Sequence, residues 1–366
     1  MTRSGIRSQN RAWVALLFVG KGKILNIVLG FKVNETQVKK IQSVLDRLEI
    51  AANLIVRPER DLASELQTAN VFCGHIKCEV DWETIVNNGN LTWIQSSAAG
   101  LDHCLVREVI ESEIQVSGAS GLFANQVAET AMALLLGLLR RTYLFESAKR
   151  NQLFERLPTD DLSGKRVGII GFGGNGQVIA KRLHAFPGVT VVASDLFADW
   201  NANGTFAECD AWLEVVSPER LLERLPEFDI LIITVGLDES TRAMISREEF
   251  DRMKAGSYLI NVGRGEVVDT SALIEALNEN RLTAAGIDVV DPEPIPKGHP
   301  IWEVENLILT PHIGAQSATR FDDVTQLFCD NLRRFFSRER LINLVDKQMR
   351  APRPGDRFDP LASVFS

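Results

Sequence analysis

The sequence is poor in cysteine, poor in histidine and free of long apolar runs. Its 366 residues include five histidines and five cysteines, and the cysteines are scattered without any C-x-x-C pair. Such usage argues against a disulfide framework or a metal site and favours reduced thiols in a cytoplasmic protein. No stretch of about 18 apolar residues occurs, so neither a transmembrane helix nor a membrane partner is predicted.

Negative charges outnumber positive ones, with 48 Asp and Glu against 40 Lys and Arg. The net charge of −8 argues against a nucleic-acid partner. The chain is too long for one ordinary core, so two domains are expected. Residues 1–22 loosely resemble a secretory signal, but their apolar run is short and lysines interrupt it. We predict loose extensions at 1–22 and in the Pro-rich tail, 346–366.

Apolar strand patterns alternate with helical patterns in two stretches of the chain. Four apolar runs lie between residues 23 and 120, and six more lie between 165 and 310. This alternation predicts α/β structure with parallel sheets covered on both faces. Between the two stretches, a long helix is predicted with Asn125 as its N-cap and with Val127, Leu134 and Leu138 on a broad apolar face.

A glycine-rich loop follows the first strand of the second stretch. Gly171, Gly173 and Gly176 have G-x-G-x-x-G spacing, between a strand and a helix. Glycines permit a tight turn and close approach to a pyrophosphate, and the helix N-terminus offers unpaired N–H groups. Asp195 ends the next strand and can bind ribose hydroxyls. No lysine or arginine occurs from 196 to 219 to bind a 2′-phosphate, so NAD is favoured over NADP.

Three charged side chains follow three different strands of the predicted sheet, namely Arg264, Glu293 and His312. Each alone could be an exposed or structural residue. Because ligands bind at the carboxyl ends of parallel strands, the three together beside a dinucleotide loop indicate a catalytic site. His312 can transfer a proton, Glu293 can orient the imidazole and stabilise its protonated form, and Arg264 can bind a carboxylate through two hydrogen bonds.

From about residue 70 to 340 the chain resembles the D-isomer-specific 2-hydroxyacid dehydrogenases, which include glyoxylate/hydroxypyruvate reductases and phosphoglycerate dehydrogenases. The resemblance is carried by "SSAAGLDH", "NQVAETAMALLL", "VGIIGFGGNGQ", "LINVGRGEVVD", "AAGIDVVDPEP" and "LTPHIGAQS". It implies two Rossmann-like domains. A doubly wound parallel-sheet NAD domain, residues 121–314, is inserted into a flavodoxin-like substrate domain, residues 23–120 and 315–345.

The resemblance also implies an activity and a set of contacts. The activity is NAD-dependent interconversion of a 2-keto acid and its (R)-2-hydroxy acid, in a homodimer joined through the NAD domain. Arg264, Glu293 and His312 match the family's catalytic residues, and Ala99, Gly100 and Arg264 match its substrate contacts. The implied cofactor contacts are Gly171, Gly173, Gly174, Asn175, Gly176, Asp195, Val235, Gly236, Val262, Arg264, Asp288, His312 and Ala315.

Two positions depart from the family pattern. Asn175 replaces an apolar residue, and Gly236 replaces a proline in the adenosine-side loop. An NAD-sensing scaffold or corepressor-like binding protein of the same fold is the alternative function. Formate dehydrogenase is less favoured, because that subfamily has glutamine where Glu293 stands. The substrate itself is not predicted, and His103 is interpreted as a loop residue without a catalytic role.

Overall fold

The computed structural model describes residues 24–197, 199–201, 204, 206 and 211–361. The chain forms two compact units. Among the described residues, unit 1 comprises those up to Leu122 together with Ala318–Phe358, and unit 2 comprises those within Phe123–Ser317 and those from Asp359 to residue 361. The predicted boundaries at residues 120 and 314 differ from this division by two and three residues, whereas the predicted end of the substrate domain, residue 345, lies 13 residues before Phe358. The predicted N-terminal extension, 1–22, lies outside the described residues.

The strands and helices of the described residues are as follows. The strands are β1 Leu25–Gly30, β2 Ala52–Val56, β3 Val71–Gly74, β4 Trp93–Ser96, β5 Gln115–Ser117, β6 Arg166–Ile170, β7 Thr190–Ser194, β8 Leu213–Val216, β9 Ile230–Ile233, β10 Ser257–Asn261, β11 Leu282–Ile287, β12 Leu307–Leu309, β13 Val345–Asp346 and β14 Ala351–Pro352. The α-helices are α1 Glu35–Arg47, α2 Ala63–Leu66, α3 Trp82–Asn88, α4 Arg107–Glu111, α5 Ala124–Leu139, α6 Thr142–Arg150, α7 Gly174–Leu183, α8 Pro218–Glu223, α9 Arg247–Arg252, α10 Thr270–Asn278 and α11 Arg320–Ser337.

Unit 1 is built on a parallel sheet of five strands in the order β2-β1-β3-β4-β5. This is the flavodoxin-like order expected for the substrate domain, and that prediction is confirmed. The central strands read as unbroken apolar runs because helices cover both faces. Helix α11 packs on α1, and its Phe335 ring stacks on Trp93 with centroids 4.9 Å apart.

The C-terminal segment from residue 346 was predicted to be loose, and for residues 346–358 this is wrong. Strand β13 pairs antiparallel with β14. The Lys347 ammonium donates to the carbonyls of Val109 and Ser112, both at 2.8 Å, and Arg340 forms an ion pair with Asp356. Polar, Pro-rich composition concealed these bonds, because they depend on partners distant in the sequence.

Unit 2 contains a parallel sheet in the order β12-β11-β10-β9-β6-β7-β8. The chain runs outward from β6 through β7 and β8, then returns to β9 on the other side of β6. The direction therefore reverses between β6 and β9, which makes the sheet doubly wound, as predicted, and puts a binding crevice at their carboxyl ends. Of the strands in this sheet, the sequence predicted all but the edge strand β8, where the polar Glu214 interrupts the apolar run.

Helix α5 packs its apolar face into unit 2. Val127, Leu134 and Leu138 are buried as predicted. A Cβ at residue 286 would lie 2.9 Å from the Leu134 Cβ, so glycine there permits close packing of α5 on the sheet. Asn125 is not the N-cap, because the helix begins at Ala124. No described helix is both long enough and apolar enough to cross a bilayer.

Candidate active site

The glycine loop lies at the crevice between β6 and β9. Gly171 has a φ of +98°, which only glycine adopts without strain. A Cβ on Gly176 would lie 2.1 Å from the Gly171 carbonyl oxygen, whereas nothing lies within 4 Å of a Cβ on Gly173. Gly174 and Asn175 open α7 directly after Gly173. The close turn and the open space at a helix N-terminus fit a pyrophosphate.

Two hydroxyl groups that the sequence analysis did not identify hold this loop. Thr234 Oγ1 donates to the Gly171 carbonyl at 2.7 Å, and the Gly171 N–H donates to Ser194 Oγ at 3.2 Å. Both residues lie where apolar strands end. In the sequence, a hydroxyl residue at that position was the feature that could have indicated a role in holding the glycine loop. Asp195 follows Ser194 and is half-buried, with Oδ1 accepting the Phe197 N–H at 3.0 Å. It lies where a ribose-binding acid is expected.

Hydrogen bonds from its own side chains hold the loop around Gly236, where a proline was expected from the family pattern. Thr241 Oγ1 donates to the Gly236 carbonyl at 2.9 Å, and Asp238 Oδ1 accepts the Ser240 and Thr241 N–H groups at 2.7 and 3.1 Å. Val235 packs against the glycine loop, because a Cβ on Gly171 would lie 2.8 Å from its Cγ1. Gly236 therefore lies in an ordered turn beside the glycine loop.

Arg264 follows β10, in a short loop held by Asn261. The Asn261 side chain is buried, and its Oδ1 accepts the Gly263 N–H at 3.0 Å while its Nδ2 donates to the Arg264 carbonyl at 3.0 Å. A Cβ on Gly265 would lie 2.1 Å from the Val290 carbonyl carbon. The Arg264 loop is thus pressed against the loop that carries Glu293. A buried asparagine at the end of an otherwise apolar strand was the sequence signal for this role.

His312 and Glu293 form a hydrogen-bonded pair. The distance between His312 Nδ1 and Glu293 Oε2 is 3.0 Å, so the predicted contact is present. Because a carboxylate only accepts hydrogen bonds, Nδ1 carries the ring proton and Nε2 can exchange a proton with a ligand. Burial raises the pKa of the Glu293 carboxyl, but hydrogen bonds from His312 and the Val290 N–H, with the charges of His312 and Arg264, hold it below its ordinary value.

Asp288 fixes the backbone that carries His312. The carboxylate is buried and accepts from Thr310 Oγ1 at 2.6 Å and from the N–H groups of Ile313 and Gly314 at 2.9 and 2.7 Å. The His312 N–H donates to the Asp288 carbonyl at 2.8 Å. These bonds stabilise the unusual left-handed backbone of His312, whose φ is +54°. Asp288 was predicted only as a cofactor contact, and these bonds to the His312 loop were not predicted.

The other residues predicted for the site lie either in unit 2 or in unit 1. Val262 is buried at the end of β10, and Ala315 is half-buried beyond the His312 loop. Ala99 and Gly100 belong to unit 1 and follow β4, where Ala99 is exposed. Among the residues that the structure describes, no group of three His, Cys, Asp or Glu side chains is placed to hold a metal ion.

Comparison with known sequences identifies the family of this chain. The family described as D-isomer specific 2-hydroxyacid dehydrogenase, NAD binding domain, matches residues 132–314. A glyoxylate reductase of Thermofilum pendens is 31% identical over 282 residues, covering 75% of this chain and 81% of the relative. The chain belongs to the D-isomer-specific 2-hydroxyacid dehydrogenases.

Other members of the D-isomer-specific 2-hydroxyacid dehydrogenases and related solved structures agree with this assignment. A hydroxypyruvate reductase of Thermotoga maritima is 31% identical over 293 residues, covering 78% of this chain and 91% of the relative. The NAD-dependent formate dehydrogenase of Staphylococcus aureus, solved in complex with NAD, superimposes with a TM-score of 0.67 at 26% identity and covers 88% of this chain and 98% of that structure. Residues 132–314 therefore belong to an NAD-binding domain, and the glycine loop lies within this range.

Proposed function

We propose that the chain is an NAD(H)-dependent reductase that interconverts a small 2-keto acid and its (R)-2-hydroxy acid. The observation that carries this proposal is the His312–Glu293 pair, 3.0 Å apart, beside Arg264 in an NAD-binding domain. Relatives named glyoxylate reductase and hydroxypyruvate reductase support a substrate of two or three carbons.

In the proposed mechanism, each of the three side chains has one task. Arg264 holds the carboxylate of the 2-keto acid and polarises its carbonyl. His312 Nε2 gives its proton to the C2 oxygen during reduction, and Glu293 stabilises the imidazolium before that transfer. NADH, when bound along the glycine loop, supplies the hydride for C2. Asp288 and Asn261 keep the His312 and Arg264 backbones in place.

Steady-state oxidation of NADH tests the activity. We expect turnover with at least one of glyoxylate, hydroxypyruvate and pyruvate, and loss of most turnover in His312→Asn. An NAD-sensing scaffold of the same fold would bind NADH and reduce none of these acids. NADH binding without turnover of any 2-keto acid would therefore support the scaffold and end the reductase proposal.

We also propose that NAD is preferred over NADP. Asp195 lies at the end of β7, where its negative charge would repel a 2′-phosphate. We expect kcat/KM for NADH to exceed that for NADPH by about tenfold or more. Asp195→Asn keeps an oxygen for the Phe197 N–H but removes the charge. The variant should therefore show a smaller preference for NADH over NADPH, measured as the ratio of the two kcat/KM values. A wild-type preference for NADPH would contradict the assignment.

The proposed assembly is a cytoplasmic homodimer joined through the NAD-binding unit. The cysteines of the described residues are free thiols, which suits a reducing compartment. The segment after α6 exposes Leu153 and Phe154, and the Phe154 ring is 98% exposed. Such a ring is an expected contact with a second copy. Phe154→Asp should yield a monomer in sedimentation, whereas Ile24→Asp, at an exposed site in unit 1, should leave the dimer intact.

A further inference from the structure

His103, which has no part in the proposed proton transfer, contacts the loop that carries Ala99 and Gly100. It lies in a turn in which the Cys104 N–H donates to the Leu101 carbonyl at 3.0 Å. Its Nε2 lies 2.9 Å from Ser96 Oγ, and its Nδ1 accepts the Ile76 N–H at 3.3 Å. The imidazole therefore connects the end of β4 to the backbone that follows β3.

The hydrogen bonds of Ser96 determine which ring nitrogen of His103 carries the proton. Ser96 Oγ donates its single proton to the Ala98 carbonyl at 3.0 Å and accepts the Ala98 N–H at 3.1 Å. Nε2 must then donate to Ser96 Oγ, while Nδ1 remains the acceptor of the Ile76 N–H. The neutral Nε2–H tautomer satisfies every one of these bonds. In the other tautomer Nδ1 cannot accept the Ile76 N–H, and Nε2 can accept the Ser96 proton only if Ser96 gives up its bond to the Ala98 carbonyl.

The Ala98 residue is consequently fixed on both sides. Its N–H is bound by Ser96 Oγ, and its carbonyl also accepts the Ala119 N–H at 3.0 Å. The next two amides, those of Ala99 and Gly100, have no hydrogen-bond partner within the part of the chain that the structure describes. Two consecutive unpaired N–H groups on a fixed backbone can receive a carboxylate with little loss of conformational entropy.

We propose that His103 is a positioning residue for substrate binding. Through Ser96 it fixes the Ala98 peptide, so that the N–H groups of Ala99 and Gly100 are already oriented for the carboxylate of the acid. The His75 ring packs against His103 with centroids 4.1 Å apart, which limits rotation of the imidazole. The identity of the ligand rests on the proposed function, whereas the arrangement of His103, Ser96 and Ala98 does not.

Two substitutions at His103 distinguish the effect of its hydrogen bonds from the effect of its ring packing. His103→Phe keeps a ring against His75 but removes both nitrogens, and His103→Gln keeps an amide donor that can reach Ser96 Oγ. We expect His103→Phe to raise KM for the 2-keto acid about tenfold, the size of one or two lost hydrogen bonds. The kcat and the Kd for NADH should change less than about twofold, and His103→Gln should recover most of the loss.

The control is His184→Phe, at a histidine that stacks on Trp212 in unit 2. It should leave KM for the 2-keto acid unchanged. An unchanged KM in His103→Phe would overturn the proposal. So would a parallel loss of kcat and NADH affinity, because that pattern reports general damage to the protein.

A double-mutant cycle tests whether His103 acts through Ser96. Ser96→Ala should raise KM by about as much as His103→Phe, since either change frees the same Ala98 peptide. The double variant should then raise KM for the 2-keto acid no more than the larger of the two single substitutions does. Losses that multiply in the double variant would show that the two residues act separately, which contradicts the proposed route.

The ¹⁵N resonances of the His103 imidazole provide a readout that needs no turnover. In the full-length protein at neutral pH, Nε2 should be protonated and Nδ1 unprotonated. The reversed tautomer, or a doubly protonated ring, would overturn the inference even if the enzyme is active. If no 2-keto acid is turned over, the proposed function fails, and the tautomer still decides whether His103 holds the loop.

Discussion

Each unit has candidate functional groups at the carboxyl edge of its parallel sheet, but the groups differ in kind. In unit 2 they are charged side chains, Arg264 and the His312–Glu293 pair. In unit 1 they are backbone N–H groups, those of Ala99 and Gly100, on a loop bound by Ser96, whose hydroxyl also bonds to His103. Chemistry that moves a proton needs titratable side chains, whereas binding a carboxylate needs only fixed donors.

The two edges are nevertheless held in the same way. Buried polar side chains bond to the backbone of each candidate loop: Asn261 and Asp288 in unit 2, and Ser96 in unit 1. His103 in turn bonds to Ser96 and to the Ile76 N–H. Substitutions at the unit 2 edge should therefore remove catalysis, and substitutions at the supporting residues should loosen binding or stability. The predictions below test this division in order of expected effect.

The largest effect is expected for His312→Asn. Asparagine tolerates the left-handed backbone at this position, where φ is +54°, but it cannot exchange a proton near neutral pH. We expect kcat to fall about a thousandfold, with the Kd for NADH, measured by fluorescence, nearly unchanged. His299→Asn is the matched control and should retain activity. Comparable activity in both variants would show that His312 does not carry out the proton transfer.

Arg264→Lys should have the next largest effect. Lysine keeps the positive charge but loses the two-pronged geometry that matches a carboxylate. We expect kcat/KM for the 2-keto acid to fall about a hundredfold. Steady-state kinetics with varied acid and saturating NADH measure this loss. A fall of less than about threefold would mean that charge alone suffices there.

Asn261→Ala tests the support of the unit 2 edge. It leaves the Gly263 N–H and the Arg264 carbonyl without their buried partner. Each unsatisfied group costs about 1–3 kcal/mol, so we expect the free energy of unfolding to fall by about 2 kcal/mol or more. Urea denaturation measures it, and KM for the acid should rise about tenfold as Arg264 loosens. Ser96→Ala is the corresponding variant in unit 1. An equal rise in KM for the acid in this variant would show that the supporting residues of the two units contribute equally to substrate binding.

The smallest effect concerns the pH dependence of the His312–Glu293 pair. The pKa of Glu293 is held below its ordinary value, so the stabilisation from its ionisation is present above about pH 4.3 and is lost as pH falls through the lowered pKa. Because the Glu293 side chain is 37% exposed, solvent screening limits this contribution to less than about 1 kcal/mol. Glu293→Gln should be slightly less stable than wild type at neutral pH, and the difference should disappear in strong acid. A difference that persists in acid would report lost packing instead of lost charge.

Much of the fold could be predicted from the sequence because buried parallel strands are unbroken apolar runs. Strand β8 was missed since it is an edge strand with a polar residue, Glu214, in its centre. The ordered tail was missed because Lys347 is bound by carbonyls more than 230 residues away in the chain. Local pattern carries no information about such partners.

Prediction of the site was limited in the same way, by contacts between residues distant in the sequence. The contact of His312 with Glu293 followed from two strand ends at one sheet edge and is present at 3.0 Å. The roles of Asp288 and His103 could not be predicted, because each depends on backbone N–H groups brought near by the fold. His103 was interpreted as a loop residue, and no sequence pattern distinguishes it from one. Side-chain chemistry at strand ends is visible in a sequence, whereas bonds from a side chain to the backbone of a distant loop are not.

The most direct test of the central claim is the configuration of the product formed from hydroxypyruvate and NADH. Glyoxylate gives an achiral product, so it cannot serve here. Chiral chromatography should show (R)-glycerate from the wild-type protein and about a thousandfold less of it from His312→Asn. The (S) product, a racemate, or equal yields from the two proteins would contradict the account.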